Sequence, residues 1–252
     1  MKKALEWEHA RRYPLTMNKA IVLLSGGLDS STSLAYARSI GYDVTALSFS
    51  YGQRHSIELQ KGAQIADFYG VKRIVFDIDL RQTGGSSLTS DSMVEERDIE
   101  DISKEIPNTY VPARNSIFLS IAFSVCEVNN CDAVVIGANA LDYSGYPDCR
   151  PEFFNSMEKS LNLGTRIGNE KGIKIMAPLQ YLSKAEIIKL GSRLGVPYQL
   201  TYSCYNGNDE ACGKCDSCLL RLKGFMKAGL VDPIKYAEYP KFYRDYLKKR
   251  VG

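Results

Sequence analysis

The sequence predicts an α/β fold in which helices cover both faces of a parallel sheet and a small C-terminal module follows. Three observations lead to this prediction. Short apolar runs alternate with segments of helical spacing, a turn rich in glycine and serine follows the first apolar run, and four cysteines lie close together after the alternation ends. Such alternation is typical of parallel sheets, whose strands are buried on both faces.

The alternation covers most of the chain before residue 200. Continuous apolar runs predict strands at residues 20–24, 44–49, 73–78, 133–136 and 173–176, and helical spacing predicts helices at residues 30–40, 56–69, 116–128 and 152–161. In sheets of this kind the ligand binds at the carboxyl ends of the strands. A long polar connection, residues 81–114, interrupts the pattern, and its length predicts a lid over the site.

Composition narrows the class of protein. Of 252 residues, 44% are hydrophobic and 24% are charged, which excludes a disordered or collagen-like chain. The net charge of +3 argues against nucleic-acid binding as the main role. No run approaches the ~20 apolar residues of a membrane span, and residues 1–16 lack the apolar core of a secretory signal. These features predict a cytoplasmic protein without a membrane partner, whose seven cysteines are reduced or bind metal.

The turn after the first strand has the composition of an anion-binding loop. Residues 25–31 read SGGLDSS and lead directly into a helix. Glycines let the backbone approach an anion, and serine hydroxyls can donate to phosphate oxygens together with the free N–H groups of the first helical turn. The alternative is a tight turn in which Asp29 or Ser30 only caps the helix. No GK[ST] motif follows, which argues against γ-phosphoryl transfer of the P-loop type.

Four cysteines near the C-terminus predict a metal site. Cys204, Cys212, Cys215 and Cys218 form a C-x7-C-x2-C-x2-C pattern, and four thiolates can close a tetrahedral zinc shell. Gly213 supplies a tight turn between two of them. An iron–sulfur cluster is the main rival, because C-x2-C-x2-C also occurs in ferredoxin-like sites, but the C-x3-C-P ending of those sites is missing. With no open position for a substrate, one structural zinc per chain is expected.

The SGGLDSS loop resembles the signature of the pyrophosphatase-loop superfamily, whose members cleave ATP between the α and β phosphates. The resemblance implies an adenine-nucleotide α-hydrolase-like, Rossmann-like domain over residues 17–200, between an N-terminal extension (1–16) and a zinc-binding module (201–252). It implies that ATP binds with magnesium and that Asp29, Ser30 and Lys184 are catalytic, with Lys184 facing the phosphates. An exposed lysine in a first helical turn is the alternative for Lys184. The implied ATP-binding residues are Leu24, Ser25, Gly26, Gly27, Leu28, Asp29, Ser30, Ser31 and Lys184.

Longer stretches resemble the 7-cyano-7-deazaguanine synthase (QueC) family. They read SFSYGQRHSIEL from Ser48, VPARN from Val111, SGYPDCRPEF from Ser144, PLQYLSKAEIIKLG from Pro178, and SCYNG with CGKCDSCLLR. The resemblance implies a carbon–nitrogen ligase that converts 7-carboxy-7-deazaguanine, ammonia and ATP into 7-cyano-7-deazaguanine, with AMP and pyrophosphate as the other products. An adenylated acid and an amide are the implied intermediates. It also implies a homodimer that acts on small molecules in queuosine or archaeosine precursor synthesis.

Further polar residues in these stretches are candidates for ATP binding. Arg54 and His55 suit a phosphate or adenine contact, and a polar helix start is the alternative for His55. Arg114 suits a phosphate or carboxylate, with Asn115 as the cap of the following helix.

The stretch after the fourth strand is the candidate for substrate recognition. Asp142, Asp148 and Glu152 can each accept from the paired N–H donors of a guanine-like ring, and Tyr146 lies in the same stretch. Surface caps are the alternative for each carboxylate.

Two other functions stay open. A tRNA-modifying enzyme of the same superfamily, either a thiolase or a ligase, would show tRNA-dependent release of pyrophosphate. A zinc module that only binds partners would show no ATP turnover with candidate acids. The tail after residue 232 interleaves tyrosines with lysines and arginines, which fits RNA contact but is more typical of a packed helix.

Overall fold

The computed structural model of the protein describes residues 17–53, 57–90, 92–95, 97, 106–140, 146–206 and 210–251. The N-terminal extension lies outside these residues, as do three predicted site residues, Arg54, His55 and Asp142. Across the described ranges, no helix has both the length and the apolar character that crossing a membrane requires.

Five strands form one parallel sheet. They are β1 (Lys19–Leu23), β2 (Asp43–Ser50), β3 (Arg73–Asp77), β4 (Ala133–Val135) and β5 (Lys174–Met176). Their order is β3-β2-β1-β4-β5, and each neighbouring pair is parallel. At the centre, Ile21 of β1 lies between Thr45 of β2 and Val134 of β4. The predicted parallel sheet is confirmed.

Helices follow most of the strands, as the alternating pattern predicts. Within the described ranges they are α1 (Leu28–Ser39), α2 (Ile57–Tyr69), α3 (Arg114–Val128), α4 (Pro151–Leu163), α5 (Arg166–Glu170), α6 (Lys184–Arg193), α7 (Asp216–Ala228) and α8 (Lys241–Val251). Short 3-10 turns occur at Leu80–Gln82, Pro147–Cys149 and Tyr198–Leu200.

The central strand buries both of its faces, because successive side chains of a strand point to opposite sides of the sheet. On one side, Ile21 belongs to the same core as Leu119 and Phe123 of α3. On the other side, Val22 belongs to a second core with Leu34 of α1 and Ile65 of α2. These two cores confirm that helices cover both faces of the sheet.

The order of the strands creates a crevice at one edge of the sheet. After β1 the chain builds β2 and β3 on one side, and then returns to place β4 and β5 on the other side of β1. Connections that diverge in this way from neighbouring parallel strands leave a gap at the carboxyl ends, where ligands bind in open α/β sheets. The carboxyl ends of β1 and β4 therefore mark the place for a site.

A smaller core surrounds the C-terminal cysteines and includes the tail. Arg221 of α7 and Asp232 form an ion pair at 2.7 Å in which both side chains are almost fully buried. Arg221 also donates to Thr201 Oγ1 at 2.8 Å, and Tyr236 donates to Asp232 at 2.8 Å. Tyr243 of α8 is only 1% exposed. The tail thus packs onto α7 as part of the folded protein.

Candidate active site

A cleft with a volume of about 270 Å³ opens at the carboxyl ends of β1, β2 and β4. The starts of α1 and α3 and residues around the cysteine cluster complete its walls. This is the position expected for a ligand in a sheet of this order. Among the residues predicted to bind ATP, those that line the cleft are Leu24, Ser25, Gly27, Leu28, Asp29, Ser30 and Arg114.

The loop between β1 and α1 touches its neighbours so closely that two positions admit only glycine. Gly26 has a φ of +84°, and a Cβ atom there would lie 2.5 Å from the backbone nitrogen of Gly62 and 2.7 Å from the carbonyl oxygen of Glu58, both in α2. A Cβ atom at Gly137, after β4, would lie 2.9 Å from the backbone nitrogen of Ser30. The loop is therefore held between α2 and the end of β4.

Serine hydroxyls close the turn from inside. The Oγ atoms of Ser25 and Ser30 lie 3.0 Å apart, and Ser30 Oγ donates to the carbonyl of Gly27 at 3.2 Å. Ser31 is fully buried, and its Oγ donates to the same carbonyl at 2.8 Å. Neither Gly26 nor Ser31 lines the cleft, so these two residues shape the loop, whereas Ser25 and Ser30 face the space where a phosphate would bind.

Asp29 and Lys184 form an ion pair beside the loop. Lys184 Nζ lies 2.9 Å and 2.7 Å from the two carboxylate oxygens of Asp29. Lys184 is the first residue of α6, which begins with a capping box between Ser183 and Glu186. A Cβ atom at Gly224 of α7 would lie 2.4 Å from Lys184 Cγ, so the absence of a side chain there makes room for the lysine. The ion pair with Asp29 positions the side chain of Lys184. Contact between Lys184 and phosphate stays a prediction.

The opposite wall carries three ionisable side chains, Tyr51, Glu58 and Arg114. Burial raises the pKa of Glu58 to about 7, and the nearby Arg114 guanidinium opposes this shift. Burial also raises the pKa of Tyr51 to about 12, assisted by the charge of Glu58. Arg114 follows Ala113, which adopts the left-handed conformation with a φ of 55°. An alanine in this conformation is strained, and such residues are often found at functional sites.

The predicted substrate residues that the structure describes, Tyr146, Asp148 and Glu152, do not line the cleft. Asp148 is buried, and its carboxylate accepts a hydrogen bond from the backbone N–H of Asn115 at 3.1 Å, in the first turn of α3. Tyr146 is buried and bonds to Thr109 at 2.9 Å. Glu152 is exposed in the first turn of α4. Contact of these side chains with the ring of a substrate stays a prediction.

The helix cap predicted at Asn115 is wrong. Ala113 is the N-cap residue of α3, and Asn115 lies inside the helix. The Asn115 side chain donates instead to the carbonyl of Asp148 at 2.9 Å. The Asp148 carboxylate therefore fulfils the capping role by accepting from the first turn, because helix N-terminal N–H groups need an acceptor outside the helix.

The four cysteines converge as a metal site requires. The sulfur atoms of Cys204, Cys212, Cys215 and Cys218 all lie within 4.8 Å of one another. Zn–S bonds of about 2.3 Å in a tetrahedron separate the sulfurs by about 3.8 Å, and the Cys212 and Cys218 sulfurs are 3.9 Å apart. The predicted tight turn at Gly213 is confirmed by its φ of +79°. The donor set and its spacing fit a tetrahedral thiolate metal.

Several cleft residues escape prediction from sequence. Asn139 follows β4, and its amide donates to the backbone of the loop before α6. The others come from the end of β2, from α2 and from the chain around the cysteines, namely Tyr51, Gln53, Glu58, Tyr202, Ser203, Tyr205 and Ser217. The stretches SYGQRHSIEL and SCYNG contain most of them. These motifs therefore indicated the segments of chain that form the site, but not which of their side chains line the cleft.

The sheet order, the glycine–serine loop at the divergence of the strands and the four-cysteine cluster define a doubly wound α/β protein with a loop suited to phosphate. The family described as queuosine biosynthesis protein QueC matches residues 19–229. The chain belongs to this family.

Curated relatives agree with the family assignment. The 7-cyano-7-deazaguanine synthase of Thermoplasma acidophilum is 62% identical over 232 residues, which cover 92% of this chain and 98% of the relative. A protein of the same name from Nostoc punctiforme is 54% identical over 223 residues, which cover 87% of this chain and 100% of the relative. The family resemblance seen in the motifs is thereby confirmed.

Solved structures show a weaker likeness. The crystal structure of a 4-thiouridine synthetase–RNA complex with bound ATP is 19% identical with a TM-score of 0.48, and the match covers 92% of this chain and 50% of that chain. A likeness at this level adds nothing to the fold established by the order and direction of the strands.

Proposed function

We propose that the protein makes 7-cyano-7-deazaguanine from 7-carboxy-7-deazaguanine, ammonia and two molecules of ATP. One observation carries the proposal: the SGGLDSS loop opens into the cleft at the carboxyl end of β1, in a chain of the QueC family with relatives named for this synthase. The chemistry requires such a loop, because neither oxygen of the acid leaves without activation.

The first ATP activates the acid. A carboxylate oxygen attacks the α-phosphorus of ATP, which forms the acyl adenylate and releases pyrophosphate. In our proposal, N–H groups of the first turn of α1 and the hydroxyls of Ser25 and Ser30 bind the departing pyrophosphate. Lys184 offsets its negative charge. Asp29 holds Lys184 in place, and its carboxylate would also hold the magnesium that accompanies ATP.

Ammonia and the second ATP complete the reaction. The ammonia nitrogen attacks the adenylated carbon, and AMP leaves with the electron pair of the broken C–O bond, which gives the amide after loss of a proton. The amide oxygen then attacks a second ATP and becomes adenylated in turn. Loss of this oxygen as AMP, together with the two protons on nitrogen, leaves the nitrile. One cleft with one phosphate loop can serve both adenylations, because the reacting oxygen is attached to the same carbon each time.

The C-terminal module has a structural role in this proposal. Cys204, Cys212, Cys215 and Cys218 would hold one zinc ion, and four thiolates would leave no open position for substrate. The module supplies Tyr202 and Ser203 to the cleft, so the zinc stabilises one wall of the site. Residues 17–200 form the nucleotide-binding domain and residues 201–252 the zinc module. The homodimer, the cytoplasmic location and the lid over residues 81–114 stay predictions.

Product analysis tests the proposal. The protein is incubated with 7-carboxy-7-deazaguanine, ammonium and MgATP, and the deazapurine and the nucleotides are followed by mass spectrometry and chromatography. We expect the nitrile and two equivalents each of AMP and pyrophosphate. Release of ADP and phosphate would refute the adenylation mechanism. Pyrophosphate release that depends on tRNA would point instead to a tRNA-modifying enzyme.

A further inference from the structure

A small side cavity adjoins the cleft beside the first turn of α2. Its volume is about 20 Å³, enough for one molecule of the size of water. Five residues line both this cavity and the cleft, so the two spaces share a wall. They are Tyr51, Gln53, Glu58, Leu88 and Tyr205.

Glu58 is the acidic residue that lines the side cavity among the residues the structure describes. Burial raises the pKa of its carboxyl group, and the charge of Arg114 opposes this shift. The neighbouring Gln53 amide is already committed, since Gln53 Oε1 accepts from the backbone N–H of Tyr51 at 2.7 Å and Nε2 donates to the carbonyl of Phe49 at 3.2 Å. Among the described residues that line the side cavity, Glu58 is therefore the acidic side chain that can balance the charge of a small cation.

The position of Glu58 is tied to the phosphate loop. Its carbonyl oxygen would lie only 2.7 Å from a Cβ atom at Gly26, so the first turn of α2 packs directly against the loop. Glu58 also lines the same cleft as Ser25 and Ser30 of the loop. A cation bound beside Glu58 would therefore lie at the wall of this cleft.

We propose that the side cavity binds the ammonium ion that supplies nitrogen to the product, with the Glu58 carboxylate as its counter-ion. This inference rests on the proposed function. Ammonium has nearly the size of water, and its four N–H donors suit a cavity with a carboxylate and tyrosine oxygens.

Glu58 also accounts for the proton that must leave before nitrogen can attack. Ammonium has no lone pair, so it transfers one proton to the Glu58 carboxylate and becomes ammonia. The ammonia lone pair then forms the C–N bond, AMP departs with the electrons of the C–O bond, and the nitrogen releases a second proton to solvent. The raised pKa of Glu58 supports this role, because a carboxyl with a pKa of about 7 accepts a proton more readily than an exposed one.

The test separates adenylation from amidation. Exchange of labelled pyrophosphate into ATP, with the acid but without ammonium, reports adenylation alone, whereas nitrile formation over a range of ammonium concentrations reports both steps. For Glu58→Gln we expect exchange close to the wild-type rate and a kcat/KM for ammonium lower by roughly 10–100-fold, the effect of losing a hydrogen bond to a charged group. Glu58→Asp, which keeps the charge, should fall between the two.

Asp67→Asn is the matched control, since Asp67 is an exposed carboxylate near the other end of α2. It should leave exchange and kcat/KM for ammonium unchanged. An unaltered dependence on ammonium in Glu58→Gln would overturn the inference. So would a parallel loss of exchange, because Glu58 would then act in adenylation or folding. Absence of exchange in the wild-type protein would instead refute the proposed function, so the two failures are distinguishable.

Discussion

Replacing Gly26 by alanine should impair ATP binding through a backbone collision. Gly26 has a φ of +84°, and its added Cβ would lie 2.5 Å, 2.7 Å and 2.9 Å from backbone atoms of Gly62, Glu58 and Lys61. Because all three are main-chain atoms, no side-chain rotation can relieve the contact. The loop and the first turn of α2 must move apart, and this movement displaces the N–H groups that would face the phosphates.

Gly41 provides a matched control for the conformational part of the effect. Its φ is +91°, but a Cβ atom there would meet nothing within 4 Å. Either alanine should lose about 1–2 kcal/mol of stability, because its residue adopts a left-handed conformation. Only the alanine at Gly26 also overpacks its surroundings, which should remove about 1–3 kcal/mol more. The affinity for ATP should fall by roughly tenfold or more in Gly26→Ala, since even one lost hydrogen bond to a charged group costs about 1.5–3 kcal/mol. The affinity of Gly41→Ala for ATP should be unchanged.

Urea unfolding measures the two free energies of unfolding, and calorimetry with a nonhydrolysable ATP analogue measures the affinities. Equal destabilisation of the two variants together with an unchanged affinity in Gly26→Ala would show that the loop tolerates a side chain and that the close approach to α2 does not shape the site.

Four further predictions concern the ion pair, the metal, the tail and α3. Asp29→Asn should reduce turnover severely while the protein stays folded, because Lys184 loses its charged partner; near-normal turnover in a steady-state assay would contradict this role. Metal analysis should find about one zinc per chain, and Cys215→Ser should lose it; a brown protein that contains iron would favour a cluster instead. Asp232→Ala should lower the free energy of unfolding by about 3–5 kcal/mol, because it leaves a buried arginine without its partner; urea unfolding checks this, and a loss below about 1 kcal/mol would be inconsistent with it. Asp148→Asn should weaken the binding of ATP and of the deazapurine together, because the carboxylate caps α3. If calorimetry shows weaker binding of the deazapurine alone, direct contact between Asp148 and the ring is favoured instead.

The phosphate loop was readable from sequence because its geometry is local. Two glycines and three serines where a strand leads into a helix leave few conformations, and the start of the helix already presents free N–H groups at the turn. The cysteine cluster was readable for the same reason, since C-x2-C-x2-C brings sulfurs together within a few residues of chain. The strands were readable from continuous apolar runs, which a buried parallel sheet requires.

The candidate substrate residues show what a short window of sequence leaves open. Asp148 and Glu152 lie in a motif of the right composition, but one carboxylate turns toward the start of α3 and the other toward solvent. Which direction a side chain takes after a strand depends on the helix that packs against it. That helix begins more than thirty residues earlier in the chain, so no short window of sequence contains the information.

The sequence by itself determined the alternation of strands and helices, the anion-binding turn and the thiolate cluster, because each depends on residues that are near neighbours along the chain. Tertiary structure decided which segments meet at the cleft. It placed Glu58 of α2 against the loop at Gly26, paired Lys184 with Asp29 across 155 positions of sequence, and opened a side cavity between α2 and the cysteine module. These contacts follow from the order of strands in the sheet and from helix packing, since spatial neighbours in a parallel α/β fold are separated by whole βα units.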